Sequence, residues 1–144
     1  MALLRIYDVK NRILAVELSG LLRLLAPRSL QASWIVRTVK SSRPGHEWFE
    51  ATGEGGERLE KLAQDNDQLA GPDLAALAEE TLQVIWGEFV GSLPNEPGKT
   101  WVVIRAADST FYEIETDDET VLRKIRSNYA DVRADEAPIA SWPL

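Results

Sequence analysis

Three apolar and β-branched segments in the second half of the chain constrain its fold more than any other feature. They cover residues 84–91, 100–107 and 110–116, and turn-forming residues separate them at positions 94–98 and 108–109. Segments of this length joined by short turns rich in Pro, Asn, Asp and Gly are typical of antiparallel strands. The sequence therefore predicts an antiparallel meander of three strands.

Other segments of the chain also have strand character. Aromatic and β-branched residues predict a strand over residues 3–9 and two more over residues 33–40 and 46–52. The turn residues Ser41 to Gly45 join the last two as a hairpin. Glycines at positions 53, 55 and 56 predict a flexible connection after this hairpin, and the polar residues 65–72 predict a mobile linker within the domain.

Apolar residues at helical spacing predict helices over residues 73–82 and 118–129. A third, shorter helix is expected around Leu59, Leu62 and Ala63. A fourth covers residues 14–25, although Ser19 and Gly20 interrupt its pattern. A chain of 144 residues is long enough for one domain with a sizeable core. We therefore expect one α+β domain over residues 1–133, with an antiparallel sheet of about five or six strands and helices packed on one face, and an irregular tail over residues 134–144.

Composition excludes several classes of function. The chain carries 23 acidic and 16 basic residues, a formal charge of −7, and acidity of this size opposes nucleic-acid binding. It has no cysteine, which excludes disulfides, cysteine zinc sites and thiol nucleophiles. Charged residues interrupt every apolar stretch near the N-terminus, so we expect neither a membrane segment nor a secretory signal, and hence a cytoplasmic protein.

No motif predicts catalysis, a cofactor or a metal ion. His46 is the only histidine, so a metal site with several histidines is excluded, and a surface turn explains this residue best. The carboxylates between Asp108 and Glu119 match no calcium-loop pattern. The glycines near position 53 lack the Lys-Ser/Thr of a phosphate-binding loop. We expect a protein without a cofactor, and more readily a binding protein than an enzyme.

The hairpin at Asp108 and Ser109 predicts which side chains meet across the sheet. A symmetric loop pairs Arg105 with Tyr112 and places Trp101 on the same face, whereas a one-residue bulge would invert the assignment. A buried arginine needs a partner, and Glu88 on the preceding strand is the obvious one. Alternatively, Arg105 beside Tyr112 and Trp101 receives a carboxylate or phosphate ligand.

Five tryptophans are more than a core of this size usually requires. Tryptophan is enriched at binding hot spots, so some of them are expected to serve an interface. Trp86 and Trp101 lie on predicted strands, and Trp142 in the tail is a candidate for docking on this chain or on a partner.

Three hypotheses of function follow. The leading one is a non-catalytic protein-binding module, a small acidic regulator or antagonist such as an immunity protein that neutralises a toxin. The second is a small-anion-binding protein or enzyme, with a pocket near the proposed site residues Arg105, Tyr112, Trp101, Glu88 and Trp86. The third is a homo-oligomeric structural protein, for which a homodimer is the simplest form.

Overall fold

The computed structural model describes residues 1–40 and 47–139. The strands in these ranges are β1 (Ala2–Ile6), β2 (Val9–Lys10), β3 (Ile13–Leu14), β4 (Ser33–Arg37), β5 (Val39–Lys40), β6 (Glu47–Trp48), β7 (Glu50–Thr52), β8 (Gln68–Ala70), β9 (Gln83–Ser92), β10 (Val102–Ala107), β11 (Phe111–Thr116) and β12 (Val132–Asp135). The helices are α1 (Leu18–Leu24), α2 (Arg28–Gln31), α3 (Glu54–Asp65), α4 (Gly71–Glu79) and α5 (Glu119–Asn128).

Most of these strands form one antiparallel sheet. Its order is β12-β1-β11-β10-β9-β4-β8, and β7 pairs with the start of β9 as an eighth strand. The predicted meander is confirmed as β9, β10 and β11 at the centre of the sheet. The α+β class is confirmed too, although the sheet has more strands than the five or six expected.

The two faces of the sheet have different partners. One face presents alternate residues such as Phe89, Ile104 and Ile114, all fully buried, to the helices. The main hydrophobic core lies between this face and the helical layer, where Leu21, Leu59, Leu74 and Ile125 pack. We call the face of the sheet that packs against the helices the helix face. In the described residues no helix covers the other face, which we call the open face.

Local sequence signals explain the two helices that were predicted most clearly. Pro72 in the first turn of α4 needs no backbone donor, and Asp73 favours the positive end of the helix dipole. The Asp118 side chain caps α5 by accepting a hydrogen bond from the Thr120 backbone N–H at 2.9 Å. Both helices begin within two residues of the predicted position.

Two segments that were predicted to be mobile are ordered by tertiary contacts. The expected linker contains β8, which pairs with β4 so that Leu69 lies opposite Trp34. The expected flexible connection is the first turn of α3, in which Gly55 is buried. A Cβ atom there would lie 2.1 Å from the Leu77 carbonyl oxygen of α4, so glycine permits the close approach of the two helices.

The starting positions of one helix and of the C-terminal tail also differ from the prediction. The helix expected from residue 14 begins at Leu18, because residues 9–14 form the small hairpin of β2 and β3 with Asn11 and Arg12 at positive φ. The tail expected to be irregular from Ala134 begins with the end of β12, which pairs with β1. An exposed, charged edge strand has little apolar pattern, so the sequence does not reveal it.

The hairpin expected between residues 33–40 and 46–52 is only partly formed as predicted. Pairing between its two arms is confirmed for β5 and β6, where Val39 lies opposite Trp48. However, β4 and β7 both pair with β9 instead of with each other. The predicted turn at 41–45 and the interpretation of His46 fall outside the described residues, as does the docking role predicted for Trp142.

Candidate functional site

The structure does not bring the predicted site residues together. Arg105 lies opposite Glu113, whereas Tyr112 lies opposite Ala106. Arg105 and Glu88 therefore belong to the open face, and Tyr112 to the helix face. The predicted pairing of Arg105 with Tyr112 is wrong, because the two side chains lie on opposite faces of the sheet.

One additional loop residue causes this difference. Asp108 and Ser109 both have positive φ, and the Thr110 N–H donates to the Ala107 carbonyl at 2.9 Å. Ala107 nevertheless pairs with Phe111, so Thr110 is an extra residue on its strand. A shift of one residue moves every side chain of a strand to the opposite face.

Arg105 is held by carboxylates. Its Nε donates to Glu88 Oε2 at 2.7 Å and its Nη1 to Glu113 Oε2 at 2.8 Å, while Glu115 Oε1 lies 3.1 Å from Nη1. Burial lowers the pKa of Arg105, but the hydrogen bonds and charges of Glu88 and Glu113 outweigh burial and raise it. The predicted partner Glu88 is thus confirmed, and Arg105 serves an internal ion cluster.

A second arginine completes this cluster. Arg5 donates through Nε and Nη2 to Glu113 Oε1, at 3.1 and 3.0 Å, and through Nη1 to Asp135 Oδ2 at 2.5 Å. Glu113 has no exposed surface. We call the six charged residues the ion cluster: Arg5, Glu88, Arg105, Glu113, Glu115 and Asp135. Its buried centre has the paired charges that structural burial requires.

Trp101 lies in a different place, where it lines a cleft together with Arg28 and Asp118. Its indole Nε1 donates to Asp118 Oδ2 at 2.9 Å, and Arg28 forms an ion pair with the same carboxylate. Burial raises the pKa of Asp118, but hydrogen bonds from Trp101 and Thr120 and the charge of Arg28 lower it overall. The cleft has a volume of about 560 Å³, and Glu96 and Lys99 also line it.

This cleft is poorly suited to catalysis. The Asp118 carboxylate already caps α5, accepts from Trp101 and pairs with Arg28. A carboxylate with a lowered pKa and these partners is a poor general base. These contacts explain the position of Asp118 structurally, because they tie the start of α5 to the residue that precedes β10.

Tyr112 is buried beneath the helices. Burial is the main cause that raises its pKa far above the ordinary value, and the nearby charge of Glu17 adds to it. Tyr112 also lines a smaller cavity of about 150 Å³ whose mouth includes the exposed side chains of Ile13 and Leu82. Its hydroxyl therefore belongs to the core and is not a surface contact.

Trp86 is half-buried on the open face. Its ring lies 5.3 Å from that of Trp48, and it packs against a small apolar cluster of Val39, Ala107, Phe111 and Ile139. Trp34, by contrast, is fully buried in the main core, where its Nε1 donates to the Ser29 carbonyl at 2.9 Å. Of the tryptophans in the described residues, Trp48 and Trp86 are partly exposed, whereas Trp34 and Trp101 are buried.

Negative charge is concentrated on one part of the structure, a feature that the sequence analysis missed. Residues 47–80 contain ten acidic and two basic residues, a net charge of −8, while the rest of the chain has thirteen acidic and fourteen basic residues. All ten carboxylates are exposed. We call them the acidic side: Glu47, Glu50, Glu54, Glu57, Glu60, Asp65, Asp67, Asp73, Glu79 and Glu80. Counting charge along the sequence in windows would have revealed it.

The acidic side is one continuous structural unit. It runs from β6 through β7, α3 and β8 to α4, and α3 packs against both β7 and α4. In the described part of the chain, ion pairs engage only three of its ten carboxylates, namely Glu47 with Lys40, Glu79 with Arg23 and Glu80 with Arg58. The remaining carboxylates leave a large uncompensated negative charge.

An exposed apolar residue lies at the border of the acidic side. Leu82 follows α4 and is 77% exposed, and its backbone N–H donates to the Thr52 carbonyl at 2.9 Å. This bond places Leu82 beside Gly53, directly before the first turn of α3.

Neither a metal site nor a membrane span is found in residues 1–40 and 47–139. No group of three or more acidic or histidine side chains there is arranged to hold a metal ion. None of the helices in these ranges has the length and apolar character needed to cross a bilayer.

Comparisons with protein-family models, with curated proteins and with solved structures found no match.

Proposed function

We propose that this protein is a non-catalytic protein-binding module, a small acidic regulator or antagonist that presents its acidic side to a basic partner protein. The concentration of charge carries this proposal. Residues 47–80 carry −8, more than the whole net charge of −7, on one contiguous stretch of the chain. A uniform distribution of negative charge would favour solubility equally well, whereas a concentrated negative charge attracts a partner of opposite charge.

The number of unpaired carboxylates supports the same function. Surface carboxylates that pair with neighbouring cations have little attraction left for a partner, but most of those on the acidic side have no such neighbour among the described residues. At physiological ionic strength the Debye length is about 8 Å, so groups spaced along α3 and α4 act together only at short range. Association would then be fast at low salt and slower at high salt.

Leu82 offers an apolar anchor for such a partner. Interfaces draw most of their binding energy from a few central apolar or aromatic side chains, and charged residues around them set orientation and association rate. Leu82, exposed at the border of the acidic side, is the apolar side chain that we expect such a partner to cover.

The alternative functions receive less support. An anion-binding pocket needs a free cation, and the Arg105 guanidinium is surrounded by Glu88, Glu113 and Glu115. Self-association through the acidic side would place like charges together, so a homodimer would have to use another surface. The same charge disfavours nucleic acid as the partner. Cytoplasmic residence remains part of the proposal, and cell fractionation tests it.

A comparison of two triple variants tests the role of the acidic side. One carries Glu54→Gln, Glu57→Gln and Glu60→Gln on α3, and the control carries Asp117→Asn, Glu119→Gln and Glu136→Gln elsewhere. All six residues are exposed, and each variant loses three negative charges. Tagged wild-type and variant proteins are used to capture partners from lysate of the native host, and the rate of association is measured with the purified partner.

We expect wild type and control to capture the same basic protein stoichiometrically. The α3 variant should associate with it about tenfold more slowly at low salt, and the difference should shrink as salt is added. Leu82→Ala should instead speed dissociation. Equal association of the two triple variants, or recovery of the chain alone from the lysate, would count against the proposal.

A further inference from the structure

A cavity opens between the β2–β3 hairpin, the start of α1 and the segment that joins α4 to β9. Its buried lining residues include Val16, Leu18, Ala78, Val84 and Tyr112. The cavity has a volume of about 150 Å³, comparable to a protein cavity that takes up one benzene molecule. It can therefore hold the stem of one long side chain. We call it the Glu17 cavity, after a carboxylate that also lines it.

The mouth of the Glu17 cavity combines apolar and acidic side chains. Ile13 and Leu82 line the cavity and are 64% and 77% exposed, and they are two of the five large apolar side chains that are exposed in the described residues. Glu17 lines the same cavity and is exposed as well. A side chain with an apolar stem and a charged end can contact both kinds of group at once.

The Glu17 carboxylate is available to a cation. None of the ion pairs in residues 1–40 and 47–139 involves it, and it accepts no capping hydrogen bond from α1. Burial raises the pKa of Tyr112 and of Tyr129, and the negative charge of Glu17 raises both further. The charge of Glu17 is thus felt by two partly or fully buried hydroxyl groups, and a cation beside it would balance that charge.

The fold fixes the position of Leu82 and links the cavity to the acidic side. The Leu82 N–H donates to the Thr52 carbonyl, and a Cβ atom on Gly53 would lie 3.2 Å from Leu82 Cγ. Glu54 directly follows Gly53 and is the first residue of α3. The Glu17 cavity therefore borders the part of the surface that we propose as the binding site for a basic partner.

We infer that the Glu17 cavity receives one lysine or arginine side chain of the basic partner. The apolar stem of that side chain lies between Ile13 and Leu82, and its charged end pairs with Glu17. The inference rests on the proposed function and deepens it, because it specifies where one basic residue of the partner binds. A neutral apolar side chain would leave the carboxylate uncompensated, and a second copy of this chain would bring two acidic sides together.

Small analogues of the lysine side chain test the inference without the partner. Butylammonium has both the stem and the charge, methylammonium lacks the stem, and butanol lacks the charge. Each is titrated into the full wild-type chain while the methyl NMR signals of Ile13 and Leu82 are followed. We expect saturable shifts with butylammonium. Methylammonium should bind at least tenfold more weakly, because it buries no stem, and butanol about threefold more weakly.

Two variants locate the contact with the charge. Glu17→Gln removes the negative charge at the cavity, and Glu119→Gln removes one from an exposed position on α5. Glu17→Gln should weaken butylammonium binding about threefold, and Glu119→Gln should match wild type. With the purified partner, Glu17→Gln should speed dissociation by a similar factor, whereas Glu119→Gln should leave dissociation unchanged.

The failure of this inference is distinguishable from the failure of the proposed function. Absence of saturable butylammonium shifts at Ile13 and Leu82 would overturn the inference, and so would equal butylammonium affinity or equal partner dissociation of the Glu17→Gln and Glu119→Gln variants. None of these results affects the association rates of the two triple variants, which test the acidic side. Recovery of the chain alone from the lysate would instead remove the partner, and with it both proposals.

Discussion

Arg105 Nη1 lies 2.8 Å from Glu113 Oε2, on a carboxylate that has no exposed surface. The same carboxylate accepts from Arg5 through its other oxygen. Two arginines from β10 and β1 thus meet on one residue of β11, and the three strands are tied together across the open face. Arg105, which the sequence offered as a ligand contact beside Tyr112 and Trp101, is engaged in ion pairs within the sheet.

Removal of the Glu113 carboxylate should destabilise the protein strongly. Glu113→Ala leaves Arg105 and Arg5 with less compensation in a buried place, and loss of one partner of a buried pair typically costs about 3–5 kcal/mol. Glu115→Ala is the matched control, because Glu115 pairs with the same arginine at 3.1 Å but is partly exposed. It should cost less than about 1 kcal/mol. Urea unfolding measures both, and similar losses in the two variants would contradict the central role of Glu113.

Two glycine substitutions should change stability in opposite directions. A Cβ atom at Gly91 would lie 3.0 Å from the Trp34 ring, so Gly91→Ala should destabilise by about 1–3 kcal/mol. Gly20 lies inside α1, and a Cβ atom there would meet no other part of the fold within 4 Å, so Gly20→Ala should stabilise by about 0.5–1 kcal/mol. Thermal unfolding distinguishes the two, and a stable Gly91→Ala would mean that Trp34 can move aside.

Asp118 should make stability depend on pH in acid. Its pKa is lowered in the folded protein, so it binds a proton less readily folded than unfolded. The stabilising contribution is present above the ordinary aspartate pKa of about 3.9 and is lost as pH falls through the lower pKa of the folded state. The difference in unfolding free energy between wild type and Asp118→Asn should therefore shrink when pH is lowered from about 6 to about 3. A difference that stays constant over this range would show that the Asp118 charge has no such effect.

Tyr112 should make stability depend on pH in alkali. Burial raises its pKa, so the hydroxyl stays neutral in the folded protein when the unfolded chain ionises near about pH 10. The stability that it contributes is complete below that pH and falls as pH rises further. Tyr112→Phe should show a shallower loss of stability between about pH 9 and 11. Ultraviolet titration should also show that one tyrosine ionises only on unfolding. Ionisation of all three tyrosines of the folded protein near the ordinary pKa of about 10 would refute burial of this hydroxyl.

The largest elements were predictable because their signals are local. β9, β10 and β11 have continuous apolar, β-branched sequences separated by turns, α4 has first-turn signals in Pro72 and Asp73, and α5 has apolar residues at helical spacing. The interaction of Arg105 with Glu88 was predictable as well, since a charge in such a strand needs a partner on a neighbouring strand. These inferences need only residues that are near in sequence or on adjacent strands.

The candidate sites depended on information that local patterns do not contain. One extra residue at Thr110 decided that Arg105 and Tyr112 lie on opposite faces, because strand side chains alternate with a period of two. The contact of Ile139 with Glu113 joins residues that are distant in sequence, through a backbone N–H that every residue except proline possesses.

By itself the sequence determined the class of this protein, an acidic, cysteine-free α+β chain with a central antiparallel meander. Composition and hydrophobic periodicity can be read from the sequence without knowledge of any tertiary contact. Tertiary structure alone decided which face each charge occupies, which strands close the edges of the sheet, and what covers the open face. Those features arise from strand register and from long-range packing, because one extra residue in a turn moves every side chain of the following strand to the opposite face.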